Sequence, residues 1–235
     1  MTPILPAFRV KIKATQPVAP MYRPALFKED RLDILHGWIR SHPFGTLISG
    51  GRHELMVSLI PFSLVTEDDS QADSLGLLRG HLARPNPQLE ALRDGSDILV
   101  LFQGPQNYVT PSWYVSKKEH GKVVPTWNYV AVEVRGRPKV IEDPAWLLAH
   151  LNVLTNEQEK RRTAPWKVSD APEDFIASQL TMIVGVEIRI DRLEGKWKVS
   201  QNRSTADRDG VVLGLRAEDA EEMAALVEAG QGKAP

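Results

Sequence analysis

Several short apolar segments of strand length follow one another between positions 44 and 141, and compact turn signals separate them. Segments 44–49, 54–64, 75–83 and 97–103 lie at hairpin spacing, and Gly50-Gly51 is a typical hairpin turn. This spacing favours antiparallel strands, because parallel neighbours need a crossover connection of about a dozen residues or more. A meander that closes on itself leaves no free edges, so the sequence predicts an antiparallel β-barrel.

Helical patterns flank these strands. In segment 29–41 apolar residues recur at helical spacing from Leu32 to Ile39, and Pro43 ends the helix. Segment 127–141 is predicted as one long strand or as a hairpin that turns at Gly136, and Gly104-Pro105 is predicted as a turn. Further helices are predicted to begin at Asp143, Thr155, Pro172 and Glu218, and two more strands are predicted at 183–193 and 196–200. The sequence therefore predicts an α+β fold.

Composition excludes several classes of site. The chain has no cysteine, which excludes disulfides, zinc–thiolate sites and cysteine nucleophiles. Its six histidines are scattered without metal-ligand spacing, so no metal site is predicted. A net charge of −1 argues against a polybasic nucleic-acid binder. A Cys-free chain without an apolar run of about 20 residues predicts a cytoplasmic protein that does not span a membrane.

The sequence also predicts the domain organisation. Residues 1–20, which carry several prolines, are predicted to form a flexible arm, and Met21 offers an alternative translation start. Residues 21–215 are predicted to form the barrel domain, with a helical insert at about 143–181. Residues 216–235 are predicted to form an acidic helix and a tail.

Two segments are rich in residues that bind flat or anionic molecules. Segment 104–129 places tyrosines and tryptophans beside lysines, which suits a flat phosphorylated ligand, although the same aromatics can simply anchor a loop. Segment 196–210 groups Trp197, Gln201 and Arg203, which are donors for an anion. Its alternative interpretation is the start of a helix, since Ser204 is a typical capping residue.

Longer stretches resemble a known family. The chain from position 21 to about 215 resembles the PaiB-type FMN-binding negative transcriptional regulators. The matching stretches are MYRPALF, PFGTLIS, GHLARPNPQ, FQGPQNYVTPSWY, SKKEHGKVVPTWNYVAV and LEGKWKVSQNRS. The resemblance implies a split β-barrel like that of flavin reductases and pyridoxamine-phosphate oxidases, usually a homodimer with FMN at the subunit interface.

The resemblance also implies candidate FMN ligands, whereas no catalytic residue set is predicted. In split barrels a strand leading to an Asn-Pro helix supplies cations to the FMN phosphate, which here indicates His81 and Arg84. A later strand passes beside the isoalloxazine ring, and C-terminal residues reach across the dimer. These two features indicate Lys122, Thr126, Trp127, Asn128, Trp197, Gln201 and Arg203.

Three functions remain open at this point. The family role implies an FMN-binding negative transcriptional regulator with flavin-based redox or metabolite sensing. No DNA-reading motif is visible, and a basic face that includes Lys160, Arg161, Arg162 and Lys167 is the candidate DNA contact. The first alternative is an FMN-dependent oxidoreductase acting on a small molecule. The second is a cofactor-free dimeric interaction module.

Overall fold

The fold is described from a computed structural model, which covers residues 21–50, 55–66 and 74–230. The predicted arm 1–20 and the end of the tail lie outside these ranges. The predicted hairpin turn at Gly51 and the polar segment 67–73 also lie outside them.

Within the described ranges, eight antiparallel strands form one sheet. They are β1 (Lys28–Glu29), β2 (Phe44–Gly50), β3 (Leu55–Pro61), β4 (Ser63–Val65), β5 (Leu77–Ala83), β6 (Ile98–Val109), β7 (Thr126–Ile141) and β8 (Ile183–Lys198). The order β3-β2-β6-β7-β8-β5-β4 is a ring, because only Phe62 separates β3 from β4 at the two ends. This arrangement confirms the predicted α+β barrel of antiparallel strands.

In the part of the chain that the structure describes, seven α-helices lie around the barrel. They are α1 (Leu32–Ser41), α2 (Gln88–Arg93), α3 (Ser116–His120), α4 (Pro144–Glu159), α5 (Glu173–Thr181), α6 (Thr205–Ala217) and α7 (Glu221–Ala229). Helices α4 and α5 fall between β7 and β8 in the chain, and α4 covers the outer side of β5 and β8.

Two apolar clusters hold the fold together. Each strand of the ring sends alternate residues into the barrel interior, where Leu47, Leu78, Val100 and Val132 are fully buried. A second cluster joins the far ends of β6, β7 and β8 to helices α6 and α7, with Met223 at its centre. The acidic C-terminal helix α7 thus packs on the strands through its apolar side. Removal of these apolar side chains from water stabilises the fold.

Two predicted breaks are wrong. The chain does not turn at Gly104-Pro105, because β6 continues through a register shift between Gln103 and Gln106. Similarly, β8 runs unbroken through Glu194-Gly195. A Cβ at position 195 would lie 2.4 Å from Leu35 and 2.5 Å from Trp197, so glycine is required there by close packing and not by a turn.

The helix boundaries also differ from the prediction. Helix α4 continues through Thr155, so the capping-box pattern there does not begin a helix. Instead, a helix begins at Thr205, where the Ser204 hydroxyl accepts a hydrogen bond from the Asp207 backbone N–H. The capping interpretation of segment 196–210 is therefore confirmed.

One part of the barrel exterior is apolar and exposed. Because β2 and β3 pair in register, alternate residues of both strands point outward together. Phe44, Leu55, Val57 and Leu59 are between 56% and 75% exposed on this side. We call these four residues the apolar outer face.

Candidate functional site

The predicted ligands form two groups at opposite ends of β8. His81 on β5 pairs with Gly185 near the start of β8, whereas Tyr129, next to Asn128, pairs with Lys198 at its end. Gly185 and Lys198 are separated by roughly 40 Å of strand at about 3.3 Å per residue. We call the two sets the β5 group and the β7–β8 group.

His81 lies against α4 and not toward open solvent. Its Nδ1 is 3.2 Å from Nε2 of His150, and the His150 ring stacks on Trp146 at 5.3 Å. Burial lowers the pKa of His81, and burial together with the charges of His81 and Arg79 lowers the pKa of His150 to about 4. Both imidazoles are therefore uncharged at neutral pH, so His81 offers a hydrogen bond but no positive charge.

Arg84 carries the charge of the β5 group. Its guanidinium donates to the carbonyls of Thr181 and Ile183 at 2.7 and 3.3 Å and to the Glu142 carboxylate at 3.2 Å. Arg93 donates to the same carboxylate at 2.7 Å. These hydrogen bonds, led by the one from Arg93, hold the pKa of Glu142 below its usual value. Two guanidinium groups thus share one carboxylate, which leaves a positive charge at the surface.

The start of β7 presents an aromatic and a polar side chain at the surface. Trp127 is 53% exposed, and its ring meets that of Tyr108 edge to face at 6.1 Å. The Lys198 ammonium donates to the Thr126 hydroxyl and to the Trp127 carbonyl. Burial, followed by the charges of Lys196 and Arg203, lowers the pKa of Lys198. The structure brings Thr126 and Trp127 together with a lysine that was not predicted as a ligand.

Asn128 points in the opposite direction and is 1% exposed. Its amide hydrogen-bonds the Ser200 hydroxyl at 2.9 Å, and Ser200 has a φ of 65°, in the left-handed region that favours glycine. In the following turn, Gln201 donates to the Trp197 carbonyl at 2.6 Å and accepts from the Val199 N–H at 2.8 Å. These contacts fix the turn that connects β8 to α6.

Trp197 also lies on the inner side of β8, where its ring meets Trp38 edge to face at 5.2 Å. Its neighbours Lys196 and Lys198 lie on the outer side, both with their ammonium groups over the Tyr129 ring, at 5.4 and 5.9 Å. The predicted FMN ligands did not include these three outer residues, although they lie within the two segments singled out in the sequence. Period-two alternation on either side of Trp197 was the signal that would have found them.

The remaining predicted residues lie beside this group. The Arg203 guanidinium is 4.5 Å above the ring centre of Tyr114, which is buried. Lys122 is exposed in the connection between α3 and β7, where its backbone N–H donates to His120. Cations and aromatic rings therefore concentrate where the start of β7 pairs with the end of β8.

A scan of the chain against protein families gives one decisive match. Residues 21–192 match the family described as "Putative FMN-binding domain". The chain belongs to this family. A relative named protease synthase and sporulation protein PAI 2, from Bacillus subtilis, is 30% identical and covers 88% of this chain and 97% of its own length. The predicted PaiB-type family and FMN as its cofactor are thus confirmed.

Other relatives and solved structures agree with the fold. An uncharacterized protein of Emericella nidulans is 37% identical over 83% of this chain and 90% of its own length. The FAD and heme binding protein of Mycobacterium smegmatis has a TM-score of 0.52 at 16% identity, with 73% of each chain covered. A conserved hypothetical protein of Mycobacterium tuberculosis has a TM-score of 0.53 at 14% identity, with 78% of this chain and 94% of that chain covered. These structures confirm the predicted split-barrel fold.

Two further searches of the described ranges gave no site. Among residues 21–50, 55–66 and 74–230, no helix is both long enough and apolar enough to cross a bilayer. Within the same ranges, no three side chains of the types that ligate metals come together as a metal site would require.

Proposed function

We propose that the protein is a homodimeric, FMN-binding negative transcriptional regulator that senses redox state or a metabolite. The name of the Bacillus subtilis relative, a protease synthase and sporulation protein, supports a regulatory role. The family match supports the flavin.

The distance between the two groups of candidate ligands carries the proposal. The β5 group and the β7–β8 group lie at opposite ends of β8 in one chain. A single FMN cannot contact both groups of the same chain. It can contact both if two chains associate so that the β5 group of one protomer meets the β7–β8 group of the other.

The apolar outer face supports such a dimer. Monomeric proteins seldom expose a contiguous apolar patch of this kind, and large side chains at more than half exposure mark an association surface. The same face lies on β2 and β3, next to β6 in the ring, so it is continuous with strands that carry the β7–β8 group. A second copy of the chain would bury it.

The β7–β8 group fits the two parts of FMN. The ammonium groups of Lys122, Lys196 and Lys198 suit a dianionic phosphate. The exposed ring of Trp127 and the half-buried ring of Tyr129 suit the flat isoalloxazine. Arg84 of the second protomer adds a guanidinium after it releases one of its present acceptors. When bound, FMN supplies reversible electron or hydride transfer, and the protein residues orient it and neutralise its charge.

The DNA contact is proposed on a different surface. Segment 160–167 is exposed throughout and contains Lys160, Arg161, Arg162 and Lys167. Glu157 pairs with Lys160, and Glu159 pairs with Arg162 at 3.0 Å, so half of the positive charge of this segment is already offset. Exposed pairs of this kind are weak, and a phosphate competes with them easily.

The first experiment is an absorption spectrum of the purified protein before and after FMN is added and the excess removed. A retained flavin spectrum is expected. The double variant Arg84→Ala, Lys122→Ala should bind FMN more weakly by about 1.5–3 kcal/mol for each charged hydrogen bond lost. Unchanged affinity would remove these two residues from the site.

The same samples separate the two alternative functions. A protein that stays colourless with added FMN is the interaction module. A protein that oxidises NADH or NADPH with an acceptor is an oxidoreductase, and either result would overturn the sensor proposal.

The dimer is tested by light scattering after size-exclusion chromatography. Val57→Asp on the apolar outer face should give a monomer that has lost FMN, because a buried carboxylate on each side of the contact is costly. The matched control is Leu213→Asp on α6, where the leucine is 69% exposed and lies outside this face. A Val57→Asp protein that stays dimeric would refute the interface.

The DNA contact is tested by gel shift with the DNA flanking the gene for this protein. Charge reversal of Lys160, Arg161, Arg162 and Lys167 together should abolish binding without changing the flavin spectrum. Binding that survives these four reversals would refute the proposed face.

A further inference from the structure

A groove runs along α5 and has different chemistry at its two ends. It consists of two recesses of about 410 and 420 Å³, both of which are lined by Ala177 and Leu180 of α5. Recesses of this size are typical of sites for small molecules. The groove lies on helices that come between β7 and β8 in the chain, and its lining shares no residue with the apolar outer face.

The first recess is mainly apolar. Its apolar lining includes Leu148 of α4, Val168 and Ile176 of α5, together with the two shared residues, and its polar lining is Asn152, Ser169 and Glu173. An apolar ligand that covers the apolar lining of a concave recess removes that surface from water, which makes binding favourable. This half of the groove therefore suits a hydrocarbon or aromatic body.

The second recess ends at Arg84, which shares Glu142 with Arg93. The arginine side chains are 43% and 47% exposed, so both remain accessible to a ligand. Two guanidinium groups against one carboxylate leave one positive charge, and a planar carboxylate is the group that guanidinium binds in bidentate fashion. This half therefore suits a carboxylate.

The opposite end of the groove repels a second anion. Glu173, at the start of α5, lines the apolar recess, whereas Thr181, at the end of α5, lines the recess with Arg84. The two residues are separated by about 12 Å at 1.5 Å per residue. A ligand with one carboxylate fits this polarity, and a dicarboxylate of the same length meets Glu173.

We propose that the groove along α5 binds a small monocarboxylic acid with an apolar body. The carboxylate lies at Arg84, which lines the recess, while Arg93 adds its positive charge from the other side of the shared Glu142. The apolar part lies beside Ala177 and Leu180. Arg84 also belongs to the β5 group, so the carboxylate of the acid and the phosphate of FMN would bind the same guanidinium. Use of the groove as the effector site rests on the proposed function, whereas binding of the acid does not.

Binding is tested by isothermal titration with three acids, 3-phenylpropanoate, 4-methylpentanoate and octanoate. At least one is expected to bind in the micromolar to millimolar range, and its amide should bind about tenfold more weakly because it loses a charge-assisted hydrogen bond. Arg93→Gln should remove this preference for the acid. If none of the three acids binds at millimolar concentration, or if the amide binds equally well, the proposal is wrong.

Two variants on α5 locate the site. Ala177→Phe fills the part that both recesses share and should abolish binding of the acid, whereas the control Ser178→Phe adds the same ring outside the groove lining. Both positions are exposed, so both variants should fold. Binding that survives Ala177→Phe would overturn the site.

The flavin spectrum of each sample separates the two proposals. A protein that retains flavin but does not bind the acid would overturn the groove proposal and leave the flavin site standing. A colourless protein that still binds the acid would overturn the flavin site and leave the groove standing.

Discussion

The hydrogen bond between Asn128 and Ser200 decides whether Asn128 is a flavin ligand or holds a turn in place. Asn128 is 1% exposed and Ser200 is 3% exposed, and the amide–hydroxyl distance is 2.9 Å. We expect Asn128→Ala to leave the Ser200 hydroxyl buried without a partner, which costs about 1–3 kcal/mol. The truncated side chain also loses packing contacts, so the free energy of unfolding should fall by about 2–3 kcal/mol.

Ser200→Gly gives a different result, because Ser200 has a φ of 65°. A left-handed residue other than glycine costs roughly 1–2 kcal/mol, which glycine recovers. This gain offsets most of the cost of leaving the Asn128 amide without its partner. The double variant Asn128→Ala, Ser200→Gly lacks both the amide and the hydroxyl, so no buried polar group loses its partner. The double variant should therefore be more stable than Asn128→Ala by about 1–2 kcal/mol.

Urea unfolding of the two single variants and the double variant measures this coupling. Asn202→Ala is the matched control, since Asn202 lies in the same turn but is exposed, and it should stay within about 0.5 kcal/mol of the parent. If Asn128→Ala keeps full stability and loses FMN, the positioning argument is refuted and Asn128 is a flavin ligand, as the sequence predicted.

Two further predictions concern pH and packing. Because His150 has a folded pKa of about 4, below its usual 6.5, the unfolded chain takes up the proton first as the pH falls, and stability is lost from pH 6.5 downward. Between pH 7 and pH 5 the free energy of unfolding should fall by about 2 kcal/mol more in the parent than in His150→Leu; equal losses in urea titrations would contradict this. Gly195→Ala should destabilise by about 1–3 kcal/mol through overpacking, whereas Gly37→Ala, in α1 with no atom within 4 Å of the added Cβ, should stabilise by about 0.5–1 kcal/mol. Thermal unfolding of the two variants should show a lower melting temperature for Gly195→Ala and a higher one for Gly37→Ala.

The fold class followed from the sequence because its signals are local. Hairpin spacing predicted antiparallel strands, and helical apolar spacing predicted the helix that precedes them. The predicted turns at Gly104-Pro105 and Glu194-Gly195 failed for one reason. The sequence does not show whether a glycine is needed for a turn or for close packing of a neighbouring side chain. Here the side chain of Trp38 occupies the space of a Cβ at Gly104, and that of Leu35 occupies the space of a Cβ at Gly195.

The sequence also indicated the two segments that form the candidate site, through their clusters of aromatic and basic residues. Its arrangement did not. Asn128, Trp197 and Gln201 were grouped with the flavin ligands by position along the chain, whereas the register of β7 and β8 turns Trp197 inward and Lys196 and Lys198 outward.

The separation of the two ligand groups was decided only by the tertiary structure. His81 and Trp127 lie close to opposite ends of one 16-residue strand, and this distance depends on how the strands pair around the barrel. The uncharged state of His81 was decided in the same way, because α4 places His150 and Trp146 over β5. Residue type and spacing report local chemistry, whereas distance, burial and charge state depend on contacts between residues far apart in the chain.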